Sequence, residues 1–426
     1  MNWFLTWILV ATSLVLVGWG MTARSRIYQY PFWIGAVTIA FVLPQLPALV
    51  HDRFLPEGAY ARTIAFTIAC VAMCWVGWRA ASRPFAFLNG RFDEKWLLGI
   101  SAVLSLCGAY FYFILSRLPG QEVVNVQMTG LPVVYIFFSR LLTYGLAIAC
   151  LCLARRFSWM ALGVVAFDLV FYLDRVIVTG KRGETLELFL ILALAVWFHR
   201  RLAVPRVVLL GCVVFGTLIM NSLADYRSMT ADNNLPALDA VLKIDHLGNL
   251  QEVVEDGGME MRNAMQRISF TAETMNFDYG KFHWNRLVFS YVPAQLVGPR
   301  FKASLMLEVP ALARNYNPWT GTTETGMTDA FNSFWYFGAL KFFLLAYVLG
   351  RFWQGAEAGQ FLAQIAYILS IVPAMNAISH TTDWVVMVWV HMLIFLVPAL
   401  VFARLPSVGR ARPPIRGTVQ IAAAER

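Results

Sequence analysis

The chain has 426 residues, of which 59% are hydrophobic and 14% charged, with a mean hydropathy of +0.60. A soluble domain carries about 45–50% apolar and about 25% charged residues, so an ordinary globular protein is excluded. The surplus of 34 Lys and Arg over 25 Asp and Glu leaves a net charge of +9, but the basic residues are scattered between apolar runs. That pattern orients membrane helices; it does not make a nucleic-acid surface.

A spanning helix needs roughly 20 mostly apolar residues. Eleven such segments are expected, at about 2–21, 31–50, 60–78, 96–116, 131–154, 158–174, 184–199, 204–224, 330–349, 359–377 and 384–403. The first has no positive residue before it and has Arg24 and Arg26 after it, the reverse of a signal peptide, so it reads as an uncleaved helix. With the N-terminus outside, half of the 34 basic residues fall in inner loops and the tail, and six fall in short outer loops. The positive-inside rule then predicts an outer N-terminus and an inner C-terminus. The expected organisation is eight helices over 1–224, a large outer loop over 225–329, three helices over 330–404 and a basic inner tail over 405–426.

The six cysteines all lie in apolar stretches, and neither a disulfide framework nor a zinc site is expected. No Walker lysine motif and no GxGxxG after a strand marks the short inner loops. Chemistry is therefore expected on the outer face, independent of ATP.

The turn between spans six and seven, Asp174 to Glu184, holds Arg175, Lys181 and Arg182 on the side that disfavours cations. Gly180 and Gly183 bracket the last two, which lets backbone approach a ligand, and the next helix opens its N–H groups there. Arginine grips phosphate oxygens in a bidentate way. In the long outer segment, 236–280 is amphipathic and partly acidic, and His246 reads as a surface residue. Residues 283–299 are apolar but too short to span, an interfacial or re-entrant stretch. It ends in Gly298-Pro299-Arg300-Phe301-Lys302, with Arg286 and Arg314 nearby. The stretch from Pro318 and Trp319 to Gly338 combines hydroxyl, amide and aromatic groups, including Asn332, which suits a sugar. It equally suits a capped helix start with Thr328 or Asp329 as N-cap. Arg140, Asp168, His391 and the turn His380-Thr381-Thr382-Asp383 are costly inside a bilayer unless paired, and an Asp168–Arg140 pair is expected.

At these residues the chain resembles bacterial oligosaccharide repeat-unit polymerases of the Wzy type, within the wider group that includes O-antigen ligases. The resemblance rests on Thr179-Gly180-Lys181-Arg182-Gly183 opening a helix, on Tyr291-Val292-Pro293 through Gly298-Pro299-Arg300, on Thr320 to Gly338, and on the long outer segment before the last spans. Many relatives carry an acid a few residues before the equivalent of Gly338, where this chain has Asn332, with Asp329 one turn earlier. The resemblance implies an all-α, GT-C-like membrane protein of a bacterial inner membrane, with a large periplasmic loop. It implies transfer of a growing glycan from polyprenyl diphosphate to a lipid-linked repeat unit at the periplasmic face, without metal or cofactor. A chain-length regulator is an implied partner.

The physical reading agrees, because a departing lipid diphosphate needs cations. Arg175, Lys181, Arg182, Arg300 and Lys302 fit that role, with Arg286, Arg314, Trp319 and Asn332 as further substrate contacts. A base at the acceptor hydroxyl would come from His283, Glu324, Asp329 or His380. The rival readings are an O-antigen ligase and a lipid-linked oligosaccharide flippase, although no repeat relates the two halves.

Overall fold

The computed structural model describes residues 1–118, 131–177, 182–222, 225–226, 229, 239, 243–310 and 323–405. Among them the chain is helical apart from turns and one isolated β-bridge, Phe92 to Arg404. In chain order the helices are α1 Asn2–Met21, α2 Tyr30–Leu49, α3 Ala59–Ala80, α4 Glu94–Ser116, α5 Leu131–Arg155, α6 Trp159–Ile177, α7 Arg182–Arg200 and α8 Arg206–Asn221. Then follow α9 His246–Asp256, α10 Met259–Thr274, α11 Lys281–Tyr291, α12 Pro299–Leu305, α13 Gly326–Phe334, α14 Ala339–Glu357, α15 Phe361–Ile378 and α16 Asp383–Ala403. Among the described residues eight helical units are long and apolar enough to cross a membrane: α1 to α5, α13–α14 taken together, α15 and α16. The segments expected at 158–174, 184–199 and 204–224 are also helices, α6 to α8. The chain is an all-helical polytopic membrane protein.

Two apolar helices in lipid gain little by hiding from solvent, so their contacts favour small residues that let backbones approach. The α3–α14 pair follows this rule. A Cβ on Gly77 would lie 2.2 Å from the Phe343 carbonyl, and one on Gly350 would lie 2.5 Å from the Ala81 Cβ. The α4–α5 pair repeats it, with Gly108 against the Leu142 backbone and Gly145 against Ser105.

The helices alternate in direction, and their ends gather into two groups. At one end Arg351 donates to the Pro84 carbonyl, Trp197 and Arg201 bond Glu357, and Tyr28 joins Val204 and Tyr367. Arg24, Arg26, Arg79, Arg83, Arg155, Arg200 and Arg206 lie in the turns and helix ends of this same region. At the opposite end the segment from 243 to 310 packs on the bundle. Arg262 pairs with Asp52 at 2.9 Å, Gln45 accepts from the Met261 N–H, and Arg62 donates to Ser269.

Three expectations need correction. Asp168 does not pair with Arg140; it accepts from Ser105 at 2.8 Å, and among the described residues no carboxylate reaches Arg140 within 4.0 Å. The last-but-two span does not begin at 330: α13 starts at Gly326, and a 3₁₀ turn, Trp335–Gly338, separates it from α14. The N-cap of α13 is Thr325, so Thr328 and Asp329 lie inside the first turn, where Thr328 meets the Thr325 hydroxyl at 2.8 Å.

Candidate active site

The site begins with a close approach. A Cβ on Gly326 would sit 1.8 Å from the Ala377 carbonyl and 2.6 Å from that of His380, so only glycine lets α13 rest on the turn between α15 and α16. Gly338 meets the Ala330 carbonyl in the same way, at 2.0 Å. Trp335 takes a left-handed φ of 52° to fold the 3₁₀ turn back, and Lys341 on α14 is thereby brought under Asp329.

Asp329 is 2% exposed, and three hydrogen bonds to its carboxylate compensate its burial. Its Oδ2 accepts from the Thr382 backbone N–H. Its Oδ1 accepts from the Thr382 hydroxyl at 3.0 Å and from Lys341 Nζ at 3.1 Å, and Nζ also reaches the Asp329 carbonyl at 3.4 Å. Lys341 donates further to the Ser333 hydroxyl at 2.8 Å. His283 on α11 joins through Thr382, with Nε2 at 2.9 Å from Oγ1 and 3.9 Å from Asp329 Oδ1. Its Nδ1 is buried and has no hydrogen-bond partner among the described residues. Three contacts hold α11 against α16: Arg286 pairs with Asp383 at 3.1 Å, the Tyr291 hydroxyl donates to the Met387 carbonyl, and the Ser290 hydroxyl donates to the Met387 sulfur at 3.8 Å.

Burial pushes the His283 pKa below the ordinary value; Asp329, Asp383 and Asp278 oppose that shift, and Lys341 adds to it. The imidazole is therefore neutral at pH 7 and able to accept a proton. Glu324, exposed by surface area at the rim, nevertheless has protein crowded round its carboxyl. Desolvation raises its pKa, Arg267 opposes the rise, and Asp329, Asp383 and Asp278 reinforce it.

The first turn of α7 reaches the same place. A Cβ on Gly183, the residue after Arg182, would lie 3.9 Å from the Trp384 ring, next to Asp383. Arg175, at the end of α6, is 6% exposed; it pairs with Glu184 at 3.1 Å and lies over the Tyr112 ring. Tyr172 connects Thr143 at 2.6 Å with Glu187 at 3.2 Å beside it.

Of the residues expected at a site, the structure gathers His283, Arg286 and Asp329 into one cluster, with Glu324 at its rim. Asn332 sits behind it, accepting from Thr271 at 2.7 Å and, through its carbonyl, from the Asp278 N–H. His380 Nδ1 meets its neighbour Ser379 at 2.9 Å, and its ring lies 5.6 Å from Trp384. Lys302 turns onto the Phe289 carbonyl at 2.9 Å, and desolvation lowers its pKa. Arg300 is exposed on α12, away from the hydrogen bonds of the cluster. Lys181, Arg314 and Trp319 lie outside the described residues, as does the Thr179–Gly180 turn.

Lys341 was not anticipated. The signal was available, since it is the one charged residue in the 330–349 run, and an intramembrane charge asks for a partner. In the sequence Thr382 and Asp383 stand out only as part of a costly turn. Comparison with protein-family models, curated proteins and solved structures returns no match.

Proposed function

We propose that the protein is a membrane glycosyltransferase that extends a polysaccharide. It transfers a growing glycan from polyprenyl diphosphate to a hydroxyl of another lipid-linked repeat unit, on the outer face of a bacterial inner membrane. The observation that carries this reading is the approach of Gly183, the residue after Arg182 in the first turn of α7, to Trp384, next to the cluster that holds the His283 imidazole. Group transfer from a lipid diphosphate asks for both: cations where charge develops on the leaving group, and a proton acceptor at the incoming hydroxyl.

In the proposed step the acceptor oxygen bonds to the anomeric carbon while the bond from that carbon to the diphosphate oxygen breaks. The leaving diphosphate takes the electron pair, stabilised by Arg182 and neighbouring cations, and the hydroxyl proton passes to His283. Arg286, held by Asp383, lies within the same cluster to bind sugar or phosphate oxygens. Relative to a flippase, a buried base with an unpartnered nitrogen favours chemistry over transport.

The test is incubation of the purified protein in lipid nanodiscs with a polyprenyl-diphosphate-linked repeat unit. A ladder of lengthening glycans on a gel is the expected result. Single transfer to a lipid A core and no ladder would assign a ligase instead, and no transfer with either acceptor would overturn the reading.

A further inference from the structure

The Thr382 hydroxyl has one proton and two neighbours that compete for it. Asp329 Oδ1, at 3.0 Å, already accepts from the Lys341 ammonium and can only accept. The hydroxyl proton therefore points at Asp329, and the bond to His283 Nε2 at 2.9 Å must run the other way. His283 then donates from Nε2–H to Thr382 Oγ1, and a neutral imidazole that carries its proton on Nε2 keeps its lone pair on Nδ1. That is the atom left buried and, among the described residues, without a partner.

We infer that Lys341, Asp329 and Thr382 form a one-way hydrogen-bond chain that fixes His283 in the Nε2–H tautomer and presents Nδ1 as the proton acceptor. Thr382 and Asp329 are positioning residues in this arrangement; they act through His283 and do not touch the reacting atoms. Each link has a direction. Lys341 has no acceptor, Asp329 has no proton to give, and Thr382 relays the resulting polarity across one hydroxyl. The backbone bond from Thr382 N–H to Asp329 Oδ2 locks the hydroxyl's own position, so the relay is held at two points. The close approach at Gly326 keeps α13 and the 376–382 turn in that register. The assignment of His283 as acceptor base rests on the polymerase reading; the tautomer does not.

The tautomer can be measured without substrate. Protein with ¹⁵N-labelled histidine rings, reconstituted in nanodiscs at pH 7, is read by ¹⁵N NMR. Among the six histidines, His283 is assigned by the signal lost in His283→Gln. The expected spectrum shows a protonated Nε2 and an unprotonated Nδ1. Thr382→Val removes the acceptor and should bring in the Nδ1–H form, whereas Thr382→Ser should keep the parent pattern. An Nδ1–H or doubly protonated ring in the parent protein overturns the inference, as does an unchanged tautomer in a folded Thr382→Val. Should that variant not fold, the parent spectrum and Thr382→Ser still decide. In the ladder assay, elongation by Thr382→Val should fall at least about tenfold, part of the roughly 10²–10⁴-fold that a general base contributes, and Thr382→Ser should restore it. A parent protein with the expected tautomer and no ladder would reject the polymerase reading while leaving the hydrogen-bond chain standing.

Discussion

His283 faces charged groups from several elements: Asp329 on α13, Lys341 on α14, Asp383 on α16 and Asp278 before α11, while Arg286, one turn further along α11, is paired with Asp383. Burial is the largest influence and disfavours the imidazolium. The sign follows directly. A base that must be neutral loses activity as the pH falls, so the acid limb of kcat/KM should have its midpoint below 6.5, the ordinary histidine value. The same depression favours folding above pH 6.5 and withdraws that stability as the pH falls below it, because the unfolded chain takes up the proton first. Asp329→Asn removes a charge that holds the pKa up and should move the acid limb lower still. A limb that stays in place in a folded Asp329→Asn, or lies above 6.5 in the parent, would separate His283 from the reaction. His283→Gln should slow elongation by about 10²–10⁴-fold.

The cations divide by their surroundings. Arg182 is the first residue of α7, directly before the Gly183 that approaches Trp384, and in the proposed reaction a departing diphosphate would meet helix N–H groups there as well as a guanidinium. Arg182→Ala should cost about 10²–10³-fold in rate, as for other lost anion-stabilising donors. Arg182→Lys should recover little, because a point charge lacks the planar fork. Arg300→Ala should cost less than Arg182→Ala, since α12 leaves that side chain exposed and outside the cluster. Arg53→Ala and Arg117→Ala, the latter stacked on Phe113, should be nearly silent. Comparable elongation rates across all four alanine variants, at equal membrane abundance, would remove the diphosphate site from this turn.

At the scale of elements, hydropathy made the long helices legible because each had to bury its own backbone hydrogen bonds in lipid, and that need writes some 20 apolar residues into the sequence. It could not place the start of α13. That boundary depends on a tertiary contact, Gly326 against the Ala377 carbonyl, and on a left-handed Trp335, a conformation with no local signature outside glycine, asparagine and aspartate. The candidate site was legible in part. His283 and Asp329 were visible as residue types in plausible places, but their union through Thr382 joins positions 99 and 53 residues apart, a pairing no local pattern announces. Gly326→Ala tests the contact itself. Inserting a methyl group against a carbonyl at 1.8 Å should destabilise by about 1–3 kcal/mol, seen as a lower thermal unfolding temperature in detergent. Gly163→Ala on α6, where nothing lies within 4 Å of the added Cβ, should unfold at or slightly above the parent temperature. Equal behaviour of the two variants would mean that α13 does not rest on that turn.

For the whole molecule, the question is which end faces the cytoplasm. The two ends differ in chemistry. One gathers arginines from the turns after α1, α3, α5 and α7; the other gathers the His283 cluster and the packed segment from 243 to 310. Short loops rich in Lys and Arg stay on the cytoplasmic side during insertion, so the arginine end should face inward. This fixes the side of the proposed reaction as well, because the long helices join one end to the other and His283, Asp329 and Gly183 share the opposite end. Single cysteines for labelling at residue 1 and within 259–274 should then react with a membrane-impermeant maleimide in intact cells whose outer membrane is permeabilised. A cysteine in the Arg200–Arg206 turn should react only after the inner membrane is opened. The six native cysteines must first be replaced by serine or alanine, and five of them are wholly or partly buried, so abundance has to be checked before labelling is read. Labelling at 259–274 confined to opened cells would put the His283 cluster on the cytoplasmic side. A transfer between lipid-linked glycans on the outer face would then be ruled out, and the arginine end could no longer be explained by the positive-inside rule.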